Sequence, residues 1–188
     1  MLQLNFQPFP VLETSRLRLR KIGRQDLEAL FSLRSSKTVM KYIDRPLARK
    51  KEDAIQLIDM MVELIEGNKG LSWTICLLQN PKMIGTVHLW KISCENYRAE
   101  IGYLLDPAFQ GMGLMQETLQ AVIHYGFHSL HLHSIEAHVN PDNLASIRLL
   151  ERSGFLREGY FKENYFYEGK FMDSAVYSIL TSLKPNLV

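Results

Sequence analysis

Residues 98 to 117, Arg-Ala-Glu-Ile-Gly-Tyr-Leu-Leu-Asp-Pro-Ala-Phe-Gln-Gly-Met-Gly-Leu-Met-Gln-Glu, constrain the fold most, because the period of the apolar residues changes within them. Ala99, Ile101, Tyr103 and Leu105 fall on one face of an extended segment, and Arg98, Glu100, Gly102 and Leu104 on the other. Asp106-Pro107 stops that strand. Beyond Gly111 and Gly113 the spacing becomes helical, with Met115, Thr118, Leu119, Val122, Ile123 and Phe127 on one side and Gln116, Glu117, Gln120 and His124 opposite. The chain therefore turns from strand to helix through two glycines.

Glycine adopts positive φ at little cost and lets the backbone approach a ligand closely. Several N–H groups can then point into one concavity at the positive end of a helix dipole. Such a turn is an anion site, best suited to a pyrophosphate, or else simply a tight strand-to-helix connection. The P-loop form is excluded, because the residues after Gly111 lack the lysine and hydroxyl pair that hold a γ-phosphate and magnesium. A dinucleotide Rossmann fold is disfavoured by the late position of the turn and by the missing third glycine.

With 188 residues, 46% of them hydrophobic, the chain can bury a sizeable core, and one domain spanning residues 1–188 is expected. Its 22 Lys and Arg against 20 Asp and Glu leave a net charge of +2, with Arg49-Lys50-Lys51 as a short basic cluster. That balance offers no footprint for nucleic acid. Cys76 and Cys94 lie in apolar or strand-like surroundings, as reduced thiols of a cytoplasmic protein would. The first residues lack a basic region followed by an apolar core, and no apolar run reaches membrane-spanning length. A soluble cytoplasmic protein, monomer or homodimer, is expected.

In chain order, alternation predicts a strand over 13–20, and helical spacing predicts helices over 26–34 and 52–66. Between those helices, 35–49 reads as irregular and carries Tyr42, Asp44 and Arg45, where a substrate-facing loop could lie. Strands follow at 73–78 and 83–92 around an Asn80-Pro81-Lys82 turn, then at 134–139. Asn143 caps a helix over 144–152, and further strands are expected at 155–160, 164–167 and 171–180.

Three motifs in this order resemble those of the GNAT acetyltransferases: Ala99-Glu-Ile-Gly-Tyr103, Gln110-Gly-Met-Gly-Leu-Met115, and Asn143-Leu-Ala-Ser-Ile-Arg-Leu-Leu-Glu-Arg-Ser-Gly-Phe155. Glu13-Thr-Ser-Arg-Leu-Arg-Leu-Arg20 is similar to the RimJ/RimL-like branch, whose founding members acetylate N-terminal amines of ribosomal proteins. The resemblance runs from Leu12 to Leu180. It implies an α/β (α+β) fold: a mixed, mostly antiparallel sheet with helices on both faces and two central strands splayed to admit the pantetheine of acetyl-CoA. By this resemblance the backbone at Leu104 and Leu105 would pair with the pantetheine. The amides of Gln110, Gly111, Met112, Gly113, Leu114 and Met115 would cradle the pyrophosphate, and Asn143 would bond the cofactor arm. Met115 departs from the family pattern, which has glycine or alanine there. Its side chain either narrows the phosphate pocket or packs inward.

The resemblance also gives roles. An ammonium must lose a proton before it attacks a thioester, and the sulfur then leaves as thiol. Glu100 matches the position that serves as general base in several branches of the family and should have a raised pKa from burial in the splayed cleft; otherwise it is a surface glutamate paired with Arg98 or Lys91. Many family members protonate the sulfur with a tyrosine, but that position is Leu150 here. The resemblance to the RimJ/RimL-like branch, which has a polar group at this site three residues after the motif asparagine, implies Ser146 as the candidate acid and a cofactor contact. Ser146 could equally be a first-turn hydroxyl bonding its own helix. Tyr103 and Tyr165 are spare phenols. His124, His128, His131 and His133 lack a recognised metal pattern, and no metal is expected. The implied function is acetyl transfer from acetyl-CoA to a primary amine, either a protein N-terminus or a small amine. The alternative is a catalytically silent acyl-CoA-binding module, suggested by Met115 and by the missing tyrosine.

Overall fold

The computed structural model describes residues 1–182. The last six residues of the expected 1–188 span lie outside the described residues. The strands are β1 (Leu12–Glu13), β2 (Leu17–Lys21), β3 (Leu71–Leu77), β4 (Asn80–Ser93), β5 (Arg98–Leu105), β6 (Ser134–Val139), β7 (Leu156–Tyr167) and β8 (Lys170–Leu180). The α-helices are α1 (Leu27–Ser35), α2 (Lys37–Met40), α3 (Lys51–Glu66), α4 (Leu114–His128) and α5 (Leu144–Arg152).

The strands form one eight-stranded sheet in the order β1-β2-β3-β4-β5-β6-β8-β7. β5 and β6 run parallel, and the other paired neighbours are antiparallel. The crossover between β5 and β6 is α4, the length of connection that a parallel pair requires.

Successive residues of a strand point to opposite faces, and β3 shows what covers each face. The Trp73 ring packs edge-on against Tyr125 of α4, with centroids 5.8 Å apart, while Thr74 donates to Asp26 at the entry to α1. Helices therefore cover both faces, as expected. This explains why β5 departs from simple alternation: Ala99 and Ile101 are buried on one side, and Glu100 and Leu104 on the other. Asp26 anchors the α1 side as an almost fully buried carboxylate, accepting from both Nη atoms of Arg20 at 2.9 and 2.6 Å and from Thr74.

Local expectations change at four places. The strand expected over 13–20 is interrupted between β1 and β2, and the turn expected at 80–82 falls at 78–79, with Asn80 already in β4. The segment expected to be irregular contains α2, whose start is capped where the Ser36 hydroxyl accepts from the Val39 amide. The strands expected at 155–160 and 164–167 are one strand, β7, with a register shift between Phe161 and Tyr165 that breaks its apparent periodicity. No helix among the described residues is long and apolar enough to cross a membrane.

Candidate active site

β5 and β6 pair only at Arg98 with Ser134, Ala99 with Ile135 and Glu100 with Glu136. Beyond Glu100 the strands separate: 101–105 pair with β4 alone, and β6 continues with β8. This is the expected splay. It opens a cleft with Glu100 at its apex and Leu104 and Leu105 along one wall.

The chain leaves that wall through Asp106, whose carboxylate accepts from the Ala108 amide and starts a short 3-10 turn over Pro107–Phe109. Gly111 and Gly113 then take φ values of 76° and 74°, and Gly113 is the N-cap of α4. A side-chained residue is disfavoured in this left-handed region, so the glycines are needed for the backbone path. Met112 between them is exposed, whereas Leu114 and Met115 are buried in the core. Met115 thus packs inward, away from the turn, which removes one ground for the silent-module alternative.

A brace that local sequence spacing did not reveal holds this turn. Glu117, on the first turn of α4, accepts from the Thr14 and Ser15 hydroxyls and the Arg16 amide, and pairs with the Arg16 guanidinium at 2.6 Å. Arg16 Nη1 in turn donates to the Met112 carbonyl at 2.9 Å. Burial pushes the Glu117 carboxyl up, but the hydrogen bonds from Thr14, Arg16 and Ser15 together outweigh it and hold it below the ordinary carboxylate range. The partners are a hundred residues apart, so only the fold brings them together.

On the other wall, Asn143 is the N-cap of α5 and its Oδ1 accepts from the Ser146 amide at 3.1 Å, as helix capping predicts. The Ser146 hydroxyl lies 2.6 Å from the Tyr103 phenol oxygen on β5. Its side-chain partner is thus Tyr103 and not its own helix backbone. Burial pushes the Tyr103 phenol up to about 12, opposed by its bond to Ser146, so Tyr103 keeps its proton at neutral pH. Leu150, where many family members have tyrosine, is fully buried in the core.

Glu100 is buried and pairs with Lys91 Nζ at 2.7 Å, so it is neither a surface group nor a partner of Arg98. Arg98 instead faces Glu136 at 3.6 Å. Glu100, Glu136 and His138 offer ligand atoms that all lie within 4.8 Å of one another, a grouping that alternation on two separate strands brings to one face. Lys91 and Arg98 already neutralise its carboxylates. His124 and His128 lie apart from this group, stacked at 4.0 Å on the exposed side of α4. Tyr165 bonds Asp44 and ties the 41–50 loop to β7; burial, then the Asp44 carboxylate, push its phenol up.

A family model described as an acetyltransferase (GNAT) domain matches residues 16–156. The "Uncharacterized N-acetyltransferase YoaA" of Bacillus subtilis is 37% identical over 92% of this chain and 97% of its own length. A putative ribosomal-protein-serine acetyltransferase from Vibrio cholerae superposes with a TM-score of 0.81 at 25% identity, covering 93% of this chain and 99% of that one. A spermidine N-acetyltransferase from Vibrio cholerae, crystallised with CoA and spermine, gives 0.79 at 28% identity over 90% of this chain and 98% of that one. The chain accordingly belongs to the GNAT acetyltransferase family, stands with its RimJ/RimL-like members, and is an N-acetyltransferase.

Proposed function

We propose that the chain moves the acetyl group of acetyl-CoA to a primary amine inside the β5/β6 splay, by direct attack on the thioester. The observation that carries this reading is the placement of a buried carboxylate, Glu100, at the apex of a cleft whose mouth is the glycine turn before α4. In this reading the Gln110–Met115 amides hold the pyrophosphate, aided by the dipole of α4. The pantetheine takes the strand-pairing positions beside Leu104 and Leu105 that β6 leaves open, and the Asn143 amide nitrogen bonds its arm.

Glu100 takes the proton of the incoming ammonium, directly or through one water, once the ammonium has displaced Lys91 from the carboxylate. The nitrogen attacks the thioester carbonyl and the C–S bond breaks. Ser146 gives its proton to the sulfur and takes one from the Tyr103 phenol 2.6 Å away, and the second proton of the attacking nitrogen, lost as the amide forms, goes through solvent to restore Tyr103. The pair thereby replaces the tyrosine absent at position 150. Direct transfer of this kind uses no metal, and the two cations on the Glu100–Glu136 carboxylates already balance their charge. The acceptor is a cationic amine, either a protein N-terminus or a small molecule, since the place it would take beside Glu100 is one that an ammonium, Lys91 Nζ, already occupies. Free Cys76 and Cys94 support a cytoplasmic setting.

Thiol release from acetyl-CoA against a panel of N-terminal peptides and small amines, polyamines and amino sugars included, tests the reading. At least one amine should raise release well above the acceptor-free rate. A chain that binds CoA yet transfers to none of them, and is no slower when Glu100 is replaced by glutamine, would overturn it.

A further inference from the structure

Lys91 occupies an unusual place. The β4/β5 register breaks between Trp90 and Ser93, and Lys91 sits in that break with φ of 46°, a region that side-chained residues rarely adopt. Ordinary alternation would send its side chain to the face opposite Trp90, whereas here the two share a face. Lys91 Nζ reaches the Glu100 carboxylate at 2.7 Å and lies over the Trp90 ring, 5.1 Å from its centroid. A carboxylate and an aromatic face together are the chemistry by which an acceptor ammonium would be recognised. The Lys91 side chain is 63% exposed while that of Glu100 is 8% exposed, so the amine reaches a buried carboxylate from the solvent side.

We infer that Lys91 is itself an acetyl acceptor: with acetyl-CoA bound and no other amine present, the enzyme acetylates its own Lys91. This rests on Glu100 being the general base. The step balances without a co-reactant. The Lys91 ammonium gives one proton to Glu100, and its nitrogen forms a bond to the thioester carbonyl carbon. The C–S bond breaks and the sulfur leaves as thiol with a proton from Ser146, while the second proton of the attacking nitrogen, lost as the amide forms, goes through solvent to restore the Ser146–Tyr103 pair, and an Nζ-acetyl amide remains. Loss of the ammonium charge then releases Glu100 from its ion pair. External amines compete with Lys91 for the same carboxylate, so they slow the self-reaction.

Lys51 is an internal control: it is also an exposed lysine paired with a carboxylate, Glu28 at 2.5 Å, but on α3 rather than at the cleft. The full chain is incubated with acetyl-CoA alone and its peptides are mapped by mass. Lys91 should gain one acetyl group on the order of a hundredfold faster than Lys51, the gain expected from a positioned base. The fractional rate should not change with protein concentration, because the reaction is within one molecule. It should collapse in Glu100→Gln, and Lys91→Arg should abolish acceptor-free thiol release. Acetylation of Lys91 no faster than Lys51, or undiminished in Glu100→Gln, would overturn the inference. Transfer to an added amine with Lys91 unmodified would remove the inference and leave the proposed function standing. Loss of both CoA binding and all transfer would remove the two together.

Discussion

Replacing Glu117 with glutamine isolates the brace behind the glycine turn. The carboxylate accepts from Thr14, Ser15, the Arg16 amide and the Arg16 guanidinium, and its side chain is 15% exposed. Glutamine keeps one oxygen for the Thr14 and Arg16 backbone side, but its NH2 then faces the guanidinium, donor against donor. A hydrogen bond to a charged group contributes about 1.5–3 kcal/mol. Arg16 is 48% exposed, so solvent screening discounts the loss. About 1–2 kcal/mol remains. For a chain of this size that lowers Tm by about 2–8 °C. Arg16 also holds the Met112 carbonyl, so its release should loosen the turn and weaken CoA binding. The Glu117 pKa is depressed on folding, so its contribution is present above the unfolded carboxylate range and disappears as pH falls through the folded value. The gap in Tm between parent and variant should accordingly be largest near neutral pH and shrink in acid. Melting curves across pH, with and without CoA, measure both effects. A variant that melts and binds CoA like the parent at neutral pH would refute the brace.

Gly113→Val places a branched side chain at φ 74°, costing about 1–2 kcal/mol of backbone strain. The nearest atom to a Cβ there is Arg16 Nη2 at 3.5 Å, so the fold should survive. CoA should no longer raise its Tm as it raises the parent's, by mass action. A parent-like CoA shift would make the turn purely structural. Ser146→Ala and Tyr103→Phe should each slow transfer less than loss of Glu100, since a thiolate leaves tolerably without an acid. Their double variant should be little slower than either alone, because the two hydroxyls act in series. Additive losses in kcat would separate them.

The architecture was legible wherever local chemistry determines it. The period change at 98–117 located β5, the glycine turn and α4, and Asn143 announced the start of α5. The β7 bulge was not legible, because inserted residues disrupt the alternation that would have joined its halves. At the site, motif order indicated the splay, yet the roles of side chains depended on contacts across the fold. Tyr103 meets Ser146 because the strand wall and α5 flank the same cleft. Arg16 meets Glu117 because β2 and the start of α4 are packed together. Lys91 is legible from the sequence as a partner of Glu100, but its left-handed backbone follows from a register break that composition does not encode. Met115 is the converse: an apparent obstacle in the motif that burial turns into core.

The general-base role of Glu100 is tested most directly by the pH profile of Glu100→Gln. Glutamine retains the shape but cannot accept the ammonium proton, and general-base catalysis is typically worth a factor of about 10²–10⁴. With a saturating amine found in the panel, kcat should fall by about that factor near neutral pH while CoA affinity stays at the parent value. The deficit should narrow as pH rises, because an amine already free of its proton needs no base. An unchanged rate and pH profile in Glu100→Gln would contradict the account and assign the proton to water or another group.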